Sequence, residues 1–237
     1  MIHRTRGVVF RTIKFSETSV VSKIYTEKFG LQSYIVNGVR SAKAKTKAAL
    51  LQPMIMLDLE VYHHENRNLH RIKEMQPMIH YRSLLFDPLK SSVGLFMIEI
   101  LSKCIHEEEG NEKMFAFIIG ELQLLDLEER IPVNFLLHFL LDLSALLGFA
   151  PQGQCTAASS RFDLREGIFI SEITQHPNVL DESLSWSLSS LIQNGAAEIP
   201  STQRRKLLDA LLQYYLVHVP NFTLPKSLRV LEEVFRP

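Results

Sequence analysis

The chain has 237 residues, of which 46% are hydrophobic, and its 26 lysine and arginine residues are balanced by 26 acidic ones. This length and composition predict a folded globular protein of one large or two ordinary domains, and they exclude a disordered or collagen-like chain. The only two cysteines are Cys104 and Cys155, and the N-terminus lacks the long apolar segment of a signal peptide. We therefore expect a protein of the reducing cytoplasm.

Charge is divided unevenly along the chain. Residues 1–82 contain 14 lysine and arginine residues against six acidic ones, a formal charge of +8, and the remainder contains 12 against 20, a charge of −8. Such asymmetry favours an N-terminal part that meets a polyanion. Two solvated faces of unequal composition are the alternative.

The first 76 residues favour β-strands, because β-branched and aromatic residues alternate with polar ones between short polar or glycine-containing breaks. The second strand places Lys23, Tyr25 and Glu27 on one face, which we expect to be exposed to solvent. Five short antiparallel strands in fewer than about 80 residues predict a small closed barrel, and the oligonucleotide-binding (OB) barrel is the candidate. The five predicted strands lie within residues 6–17, 19–30, 31–40, 54–64 and 69–77.

The basic connection between the third and fourth predicted strands, "VNGVRSAKAKTKAALLQP", contains four cations and no acidic residue. We expect a short amphipathic turn of helix that exposes the lysines and is anchored by Leu50 and Leu51. Lysine and arginine side chains that neutralise phosphates gain free energy from counterion release, so a phosphate-binding arm is predicted. A solvated loop with incidental charge is the alternative. The four cations are Arg40, Lys43, Lys45 and Lys47.

OB barrels bind single strands with positive charge along the backbone and with exposed aromatic rings on which bases stack. Tyr25, Tyr34 and Phe29 are the candidate stacking residues, and a place in the core is the alternative for each. Lys23 and Arg11 complete the predicted DNA-binding set.

After Pro77 the spacing of apolar residues becomes helical. The longest apolar run, residues 134–150, is shorter than the roughly 20 residues of a membrane span and therefore predicts a buried helix. Asn111 and Pro132 predict helix starts, and Gly148 predicts a stop. Helices are expected within residues 91–108, 111–129 and 132–149, and from near Asp181, Ser201 and Pro225.

A loop containing a possible small hairpin, "RFDLREGIFI", separates the first three helices from the rest. The predicted fold class is therefore α+β and multidomain. An OB barrel occupies residues 1–80, a mainly helical domain occupies residues 81–237, and a loop and hairpin insertion lies at about 150–180.

No sequence motif for nucleotide turnover, acyl transfer or metalloprotease chemistry is present, so no catalytic activity and no cofactor are predicted. The one local group of potential metal ligands is His63, His64, Glu65 and His70. Adjacent strand residues point to opposite faces, so we expect an exposed hairpin tip there rather than a metal site. His138 lies in an apolar helix, where a core or partly exposed histidine is the simpler interpretation.

Several motifs, in order, resemble the RecO family of bacterial recombination mediators. They are S-E-T-S at 16–19, F-G at 29–30, N-G-V-R at 37–40, A-L-L-Q-P at 49–53 and L-L-G-F-A-P-Q at 146–152. The resemblance implies an N-terminal OB barrel, a helical C-terminal domain, and a cytoplasmic, nucleoid-associated protein that binds single- and double-stranded DNA. It also implies annealing of complementary strands, and action with RecR to load RecA onto DNA coated with single-stranded DNA-binding protein (SSB). Arg40 occupies the family's G-x-R position, where a basic residue is associated with DNA binding.

The sequence departs from the family pattern in two places. Many RecO proteins carry a zinc site after L-G-[FY]-x-P, and the corresponding positions here hold one cysteine among four, so no zinc is predicted. These positions are Cys155, Ala158, Ser171 and Thr174.

The second departure concerns the acidic tail of SSB, which the resemblance places on the helical domain beside an arginine that this chain lacks. We take Lys113, Arg130 and His138 as the candidate partner-binding residues instead.

Two other functions compete with a DNA-binding mediator. The barrel of a protein-interaction scaffold would bind an acidic protein surface, with DNA contact incidental. A nuclease would need clustered carboxylates for metal ions, whereas the six acidic residues of the barrel half are scattered.

Overall fold

The structure is a computed structural model that describes residues 1–39, 45–64, 66–171, 176–195 and 197–234, with the backbone alone at positions 45, 46, 232 and 234. Strands β1 to β5 lie at Ile2–Lys14, Val20–Thr26, Gly30–Val36, Met56–Tyr62 and His70–Pro77, and strands β6 and β7 at Arg161–Asp163 and Ile168–Ile170. Helices α1 to α7 lie at Lys45–Leu50, Pro88–Cys104, Glu112–Leu127, Phe135–Leu146, Glu182–Gln193, Ser201–His218 and Ser227–Val234.

Strands β1 to β5 close into a barrel in the order β1-β2-β3-β5-β4, with β4 pairing back onto β1. Every pairing is antiparallel except that of β3 with β5, which is parallel. Closure joins the two strands that would otherwise be the edges of the sheet, β3 and β5, and this limits pairing with other chains. The predicted five-stranded OB barrel followed by helices is confirmed.

The interior of the barrel is an apolar cluster built from alternate residues of the strands. In β3 the pattern is strict, because Tyr34 and Val36 point inward while Ile35 between them is half-buried on the outer face. Helix α1 closes one part of this core: Leu51, just after the helix, is 2% exposed, and Thr12 donates to its carbonyl over 2.7 Å. Lys47 of α1 is exposed. The predicted turn of helix and its leucine anchor are therefore confirmed, and of the four predicted exposed cations the structure describes the side chain of Lys47 alone.

Helix α3 covers part of the outer face of the barrel. The Phe115 ring stacks on Tyr25 of β2 with centroids 6.4 Å apart, and Phe10 also stacks on Tyr25, at 5.7 Å. The loop before α3 crosses the β2–β3 turn, where Leu31 donates its backbone N–H to the Glu107 carbonyl over 2.9 Å. A side chain at Gly30, whose φ is +60°, would overlap that loop, so glycine is required there.

The predicted helix ends are confirmed at two of three positions. Asn111 accepts a hydrogen bond from the Met114 N–H and is the N-cap of α3. Gly148, with φ +88°, follows α4 in the left-handed conformation that commonly ends helices. Pro132 was predicted as the first turn of α4, which is wrong: the helix begins at Phe135, and Pro132 lies in the turn before it.

Contacts divide the chain into two compact units, Met1–Glu129 with Pro225–Pro237, and Arg130–Leu224. The first unit contains the barrel, α2, α3 and α7, and the second contains α4, α5, α6 and the β6–β7 hairpin. The predicted domain ranges follow the change from strands to helices and remain a prediction. Among the described residues, no helix has the length and apolar character that crossing a membrane requires.

In the second unit, the small hairpin expected from the sequence is present as β6 and β7. Its Phe162 ring is 1% exposed and packs against Tyr214 of α6. The Ser185 hydroxyl of α5 accepts the Phe162 N–H over 2.8 Å, and His218 of α6 contacts the Leu164 carbonyl at 3.0 Å. Packing and hydrogen bonds to two helices therefore hold the hairpin.

In the first unit, Asp126 of α3 organises the segment between the barrel and α2. Its buried carboxylate accepts the backbone N–H groups of Arg82, Ser83 and Leu84 at 2.8 to 3.0 Å. Burial opposes its ionisation, but these three donors and the nearby Lys90 ammonium outweigh burial and hold the pKa of Asp126 below its usual value of 3.8. One charged side chain thus fixes the connection that follows the barrel.

We expect Asp126→Asn to lower the free energy of unfolding by about 3 kcal/mol, because an amide nitrogen then faces buried N–H donors. Denaturant unfolding at neutral pH measures the change, with Glu128→Gln, an exposed neighbour, as control. Since the native pKa is the lower one, the advantage of the wild type is present above pH 3.8 and declines as the pH falls below it. An unchanged midpoint for Asp126→Asn would contradict this role.

Candidate nucleic-acid interface

A groove of about 910 Å³ crosses the outer surface of the barrel. Among the described residues, its lining has six cationic side chains against four carboxylates, a formal charge of +2. The cations are Arg4, Arg6, Lys28, Lys47, Arg71 and Lys73, and the carboxylates are Glu27, Asp58, Glu60 and Glu74.

Ion pairs neutralise part of this groove. Glu60 accepts hydrogen bonds from Lys73 at 2.9 Å and Arg4 at 2.7 Å, which together hold its pKa below the usual value. Arg6 donates to both carboxylate oxygens of Glu27 and lowers the pKa of that carboxyl group in the same way. These pairs are exposed and contribute little to stability. Three of the six cations, Lys28, Lys47 and Arg71, have no carboxylate partner in the described part of the chain.

A second cationic surface lies on β1, β2 and β3. Arg11 and Lys23 are exposed and stand directly opposite each other in the β1–β2 ladder, a like-charge pair that costs stability in a sheet. The next row of the same face joins Ile13, Val21, Ile35 and Arg71 across four strands. We call this surface the outer strip; it consists of Arg11, Ile13, Phe15, Val21, Lys23, Ile35 and Arg71.

The predicted basic arm is described only in part. Lys47 is exposed on α1 and lines the groove. Lys45 begins α1, and its side chain lies outside the described residues, as do Arg40 and Lys43 entirely. The DNA-binding role of these four residues remains a prediction.

Two of the three predicted stacking residues, Tyr25 and Tyr34, are buried, so the prediction of exposed rings is wrong for them. Tyr25 does point away from the barrel interior, as the alternation indicated, but Phe10 and Phe115 cover its ring and leave it 2% exposed. Burial raises the pKa of Tyr25 to about 12. Tyr34 belongs to the barrel core, and Phe29 is partly buried against that core.

Two other aromatic side chains of the barrel are exposed instead. Phe15 is 60% exposed just after β1, and Tyr62 is 40% exposed at the end of β4, opposite Arg71. Sequence reasoning missed both. The available signal was that Phe15 lies two and four residues from Ile13 and Arg11, on the same face of an extended strand.

The expected exposed tip is confirmed for His64 and is wrong for His63 and His70, while Glu65 lies outside the described residues. His70 is 2% exposed, and the His63 ring is stacked on it with centroids 4.4 Å apart. Phe29 stacks on the other face of His63 at 3.9 Å. Neither ring nitrogen of His70 has a hydrogen-bond partner among the described residues. Burial, followed by the neighbouring His63, lowers the pKa of His70 below 6.5.

The folded protein therefore holds His70 neutral, whereas the unfolded chain takes up a proton near pH 6.5. We expect the free energy of unfolding to have its full value above pH 6.5. It should decrease as the pH falls from there through the lower pKa that His70 has in the folded protein. His70→Leu, of similar volume, should reduce this decrease between pH 7.5 and 5.5. Denaturant titrations at the two pH values measure it, with exposed His106→Gln as control. An equal decrease in wild type and His70→Leu would rule out this contribution.

The three predicted partner-binding residues are in both units. Lys113 is exposed in the first turn of α3, and Arg130 is exposed before α4. His138 lines a groove of about 620 Å³ in the second unit, together with Val133, which is 70% exposed, and Arg204. The His138 ring is held by the Gly195 carbonyl at 2.8 Å. Arg204 was not foreseen, because it lies more than 60 residues along the chain from His138.

The residues at the family's zinc positions do not fit a zinc ion. Alanine and serine at positions 158 and 171 offer no thiolate or imidazole ligand. Cys155 is buried, and burial followed by the charge of Glu182 raises the pKa of its thiol, which favours the neutral form. No group of three or more metal-ligating side chains is found in the described part of the chain.

Comparisons with known proteins agree with the barrel and the helices. The family model described as Recombination protein O N terminal matches residues 1–81, and the model described as Recombination protein O C terminal matches residues 85–228. A "DNA repair protein RecO" from Flavobacterium psychrophilum is 36% identical over 98% of this chain and 98% of its own length. Relatives with the same name from Bacteroides fragilis and Azobacteroides pseudotrichonymphae are 33% and 29% identical over 99% of this chain and their whole length.

The fold is that of a protein built on an OB barrel followed by helices, and the family that its models and relatives indicate binds DNA. The chain belongs to the RecO family, which acts in DNA repair and recombination. The resemblance seen in the sequence motifs is confirmed.

Proposed function

We propose that this protein is a recombination mediator that binds single- and double-stranded DNA through its barrel and anneals complementary strands without catalysing a covalent reaction. The observation that carries the proposal is the set of exposed cations on the outer strip and in the adjoining groove. Arg11 and Lys23 face each other on open sheet, a pairing unfavourable for the fold and favourable for a polyanion. Lys47 and Arg71, both lining the groove, extend the positive surface.

Neutralising four of these cations should weaken binding to all DNA sequences alike. For Arg11, Lys23, Lys47 and Arg71 changed together to glutamine, we expect the slope of log affinity against log salt to become shallower by up to about 2.8 on a single strand. Fluorescence anisotropy with a labelled oligonucleotide between 0.05 and 0.3 M salt, roughly the range over which such contacts weaken, measures it. A second variant neutralises Arg40, Lys43, Lys45 and Lys47 and tests the predicted arm.

The matched control removes the same charge from exposed positions of the helical part, Arg161, Arg165, Lys206 and Arg229. It should bind nearly as well as wild type. Equal affinity and slope in the barrel variant and the control would refute DNA binding by this surface. If wild type binds no DNA at about physiological salt but captures an acidic protein, the interaction scaffold is the correct function.

We further propose that the protein acts with RecR to load RecA onto SSB-coated DNA in the bacterial cytoplasm, at the nucleoid. The groove beside His138 supports an SSB contact. Its lining contains both the exposed apolar Val133 and the guanidinium of Arg204. The first suits the phenylalanine at the end of an acidic peptide, and the second suits the acidic residues of that peptide. Lys113 and Arg130 remain further candidates for partner contacts.

Val133→Asp should lower the affinity for a short acidic peptide ending in phenylalanine by at least about tenfold, because a charge then faces the apolar end of the peptide. Annealing of SSB-coated complementary strands, measured with and without RecR, should decline, whereas annealing of bare strands should not. Val217→Asp, an exposed position on α6 in the same unit, is the control. Undiminished peptide binding by Val133→Asp would exclude this groove.

A further inference from the structure

Phe15 is an exposed aromatic ring on a fixed turn. Its side chain is 60% exposed, although its backbone is held by a hydrogen bond from its N–H to the Ser19 carbonyl at 3.0 Å. The turn is tied to the rest of the barrel, because Val39 donates to the Thr18 carbonyl at 3.0 Å and Ser19 donates to the side chain of Asn37 at 2.9 Å. The ring is therefore presented to solvent from a rigid position.

Apolar side chains continue from Phe15 across the sheet. Ile13, two residues before Phe15 and near the end of β1, is 46% exposed, and it pairs with Val21, which pairs with Ile35. Single exposed apolar residues are ordinary on protein surfaces. Here the exposed Ile13 and the half-buried Val21 and Ile35 form a row across adjacent strands, and with strands about 4.8 Å apart the row spans roughly 14 Å from Ile13 to Arg71.

Cations border this apolar row. Arg11 and Lys23 form the neighbouring row, and Arg71 pairs with Ile35 at the far end. The outer strip itself contains no carboxylate. A ligand that suits it has regularly spaced negative charges and flat apolar faces within a few ångströms of them. Single-stranded nucleic acid has both, whereas a duplex hides its base faces in the stack.

We propose that Phe15 is a base-stacking residue that strengthens the binding of single-stranded DNA but not of double-stranded DNA, with the strand lying along the outer strip. This inference rests on the proposed function, because it assumes that the barrel binds DNA. Arg11, Lys23 and Arg71 contact the phosphates, and Phe15 supplies the sequence-tolerant contact to a base.

The test compares Phe15→Ala with wild type in the full chain, using a thymidine oligonucleotide and a duplex of equal length at one salt concentration. The dissociation constant for the single strand should rise between about 5- and 150-fold, the effect of losing one stacked base, and the duplex affinity should change less than about twofold. The salt slope should stay unchanged, because no phosphate contact is lost. Phe86→Ala, at another exposed phenylalanine, is the control.

The variant Phe15→Trp gives a direct signal. The oligonucleotide should quench its fluorescence more than it quenches that of wild type, whose single tryptophan is Trp186. Equal single-strand affinity of Phe15→Ala and wild type would overturn the inference while leaving DNA binding intact. Equal losses on single strand and duplex would also overturn it. If Phe15→Ala lost affinity for an acidic apolar peptide and not for DNA, the inference would also be overturned, because the strip would then be a peptide site. Absence of any DNA binding by wild type would instead refute the proposed function.

Discussion

The parallel pairing of β3 with β5 is the contact on which the rest of the barrel depends. It has two register pairs, Tyr34 with His70 and Ile35 with Arg71, and it closes a sheet that would otherwise have two open edges. Closure buries Tyr34 and His70 on the inside. On the outside it places Arg71 beside Ile35, which makes one surface of residues that are far apart in the chain. The positive groove and the outer strip both exist because of this seam.

The outer face of the barrel is divided by what covers it. Helix α3 lays Phe115 on Tyr25, so this part of β2 is an interior surface between sheet and helix. Two residues earlier on the same face, Lys23 is exposed beside Arg11. The strands of the barrel alternate in the same way over its whole outer surface. Within the first unit, only the part that helix α3 and the loop before it leave uncovered can contact a ligand.

The two cationic surfaces differ in their chemistry. In the groove, Glu60 and Glu27 engage three of the cations, so the remaining charge is modest and is strongly screened by salt. The outer strip has fewer cations, but apolar side chains lie beside them, and among the described residues no ion pair engages Arg11, Lys23 or Arg71. The first arrangement suits passage of a phosphate backbone, and the second suits contact with bases. Their junction is at Ile35 and Arg71, which belong to both.

The sequence by itself determined the barrel, the helices and the family, because alternation, helical spacing, caps such as Asn111 and ordered motifs are local properties. It also determined that Lys47 is exposed while Leu51 anchors α1. Only the tertiary structure decided which outward residues stay exposed. Tyr25 was placed on the correct face and is nevertheless buried, because Phe115, distant in sequence, covers it. Burial is a property of long-range packing, and a strand's period shows where a side chain points but not what lies above it.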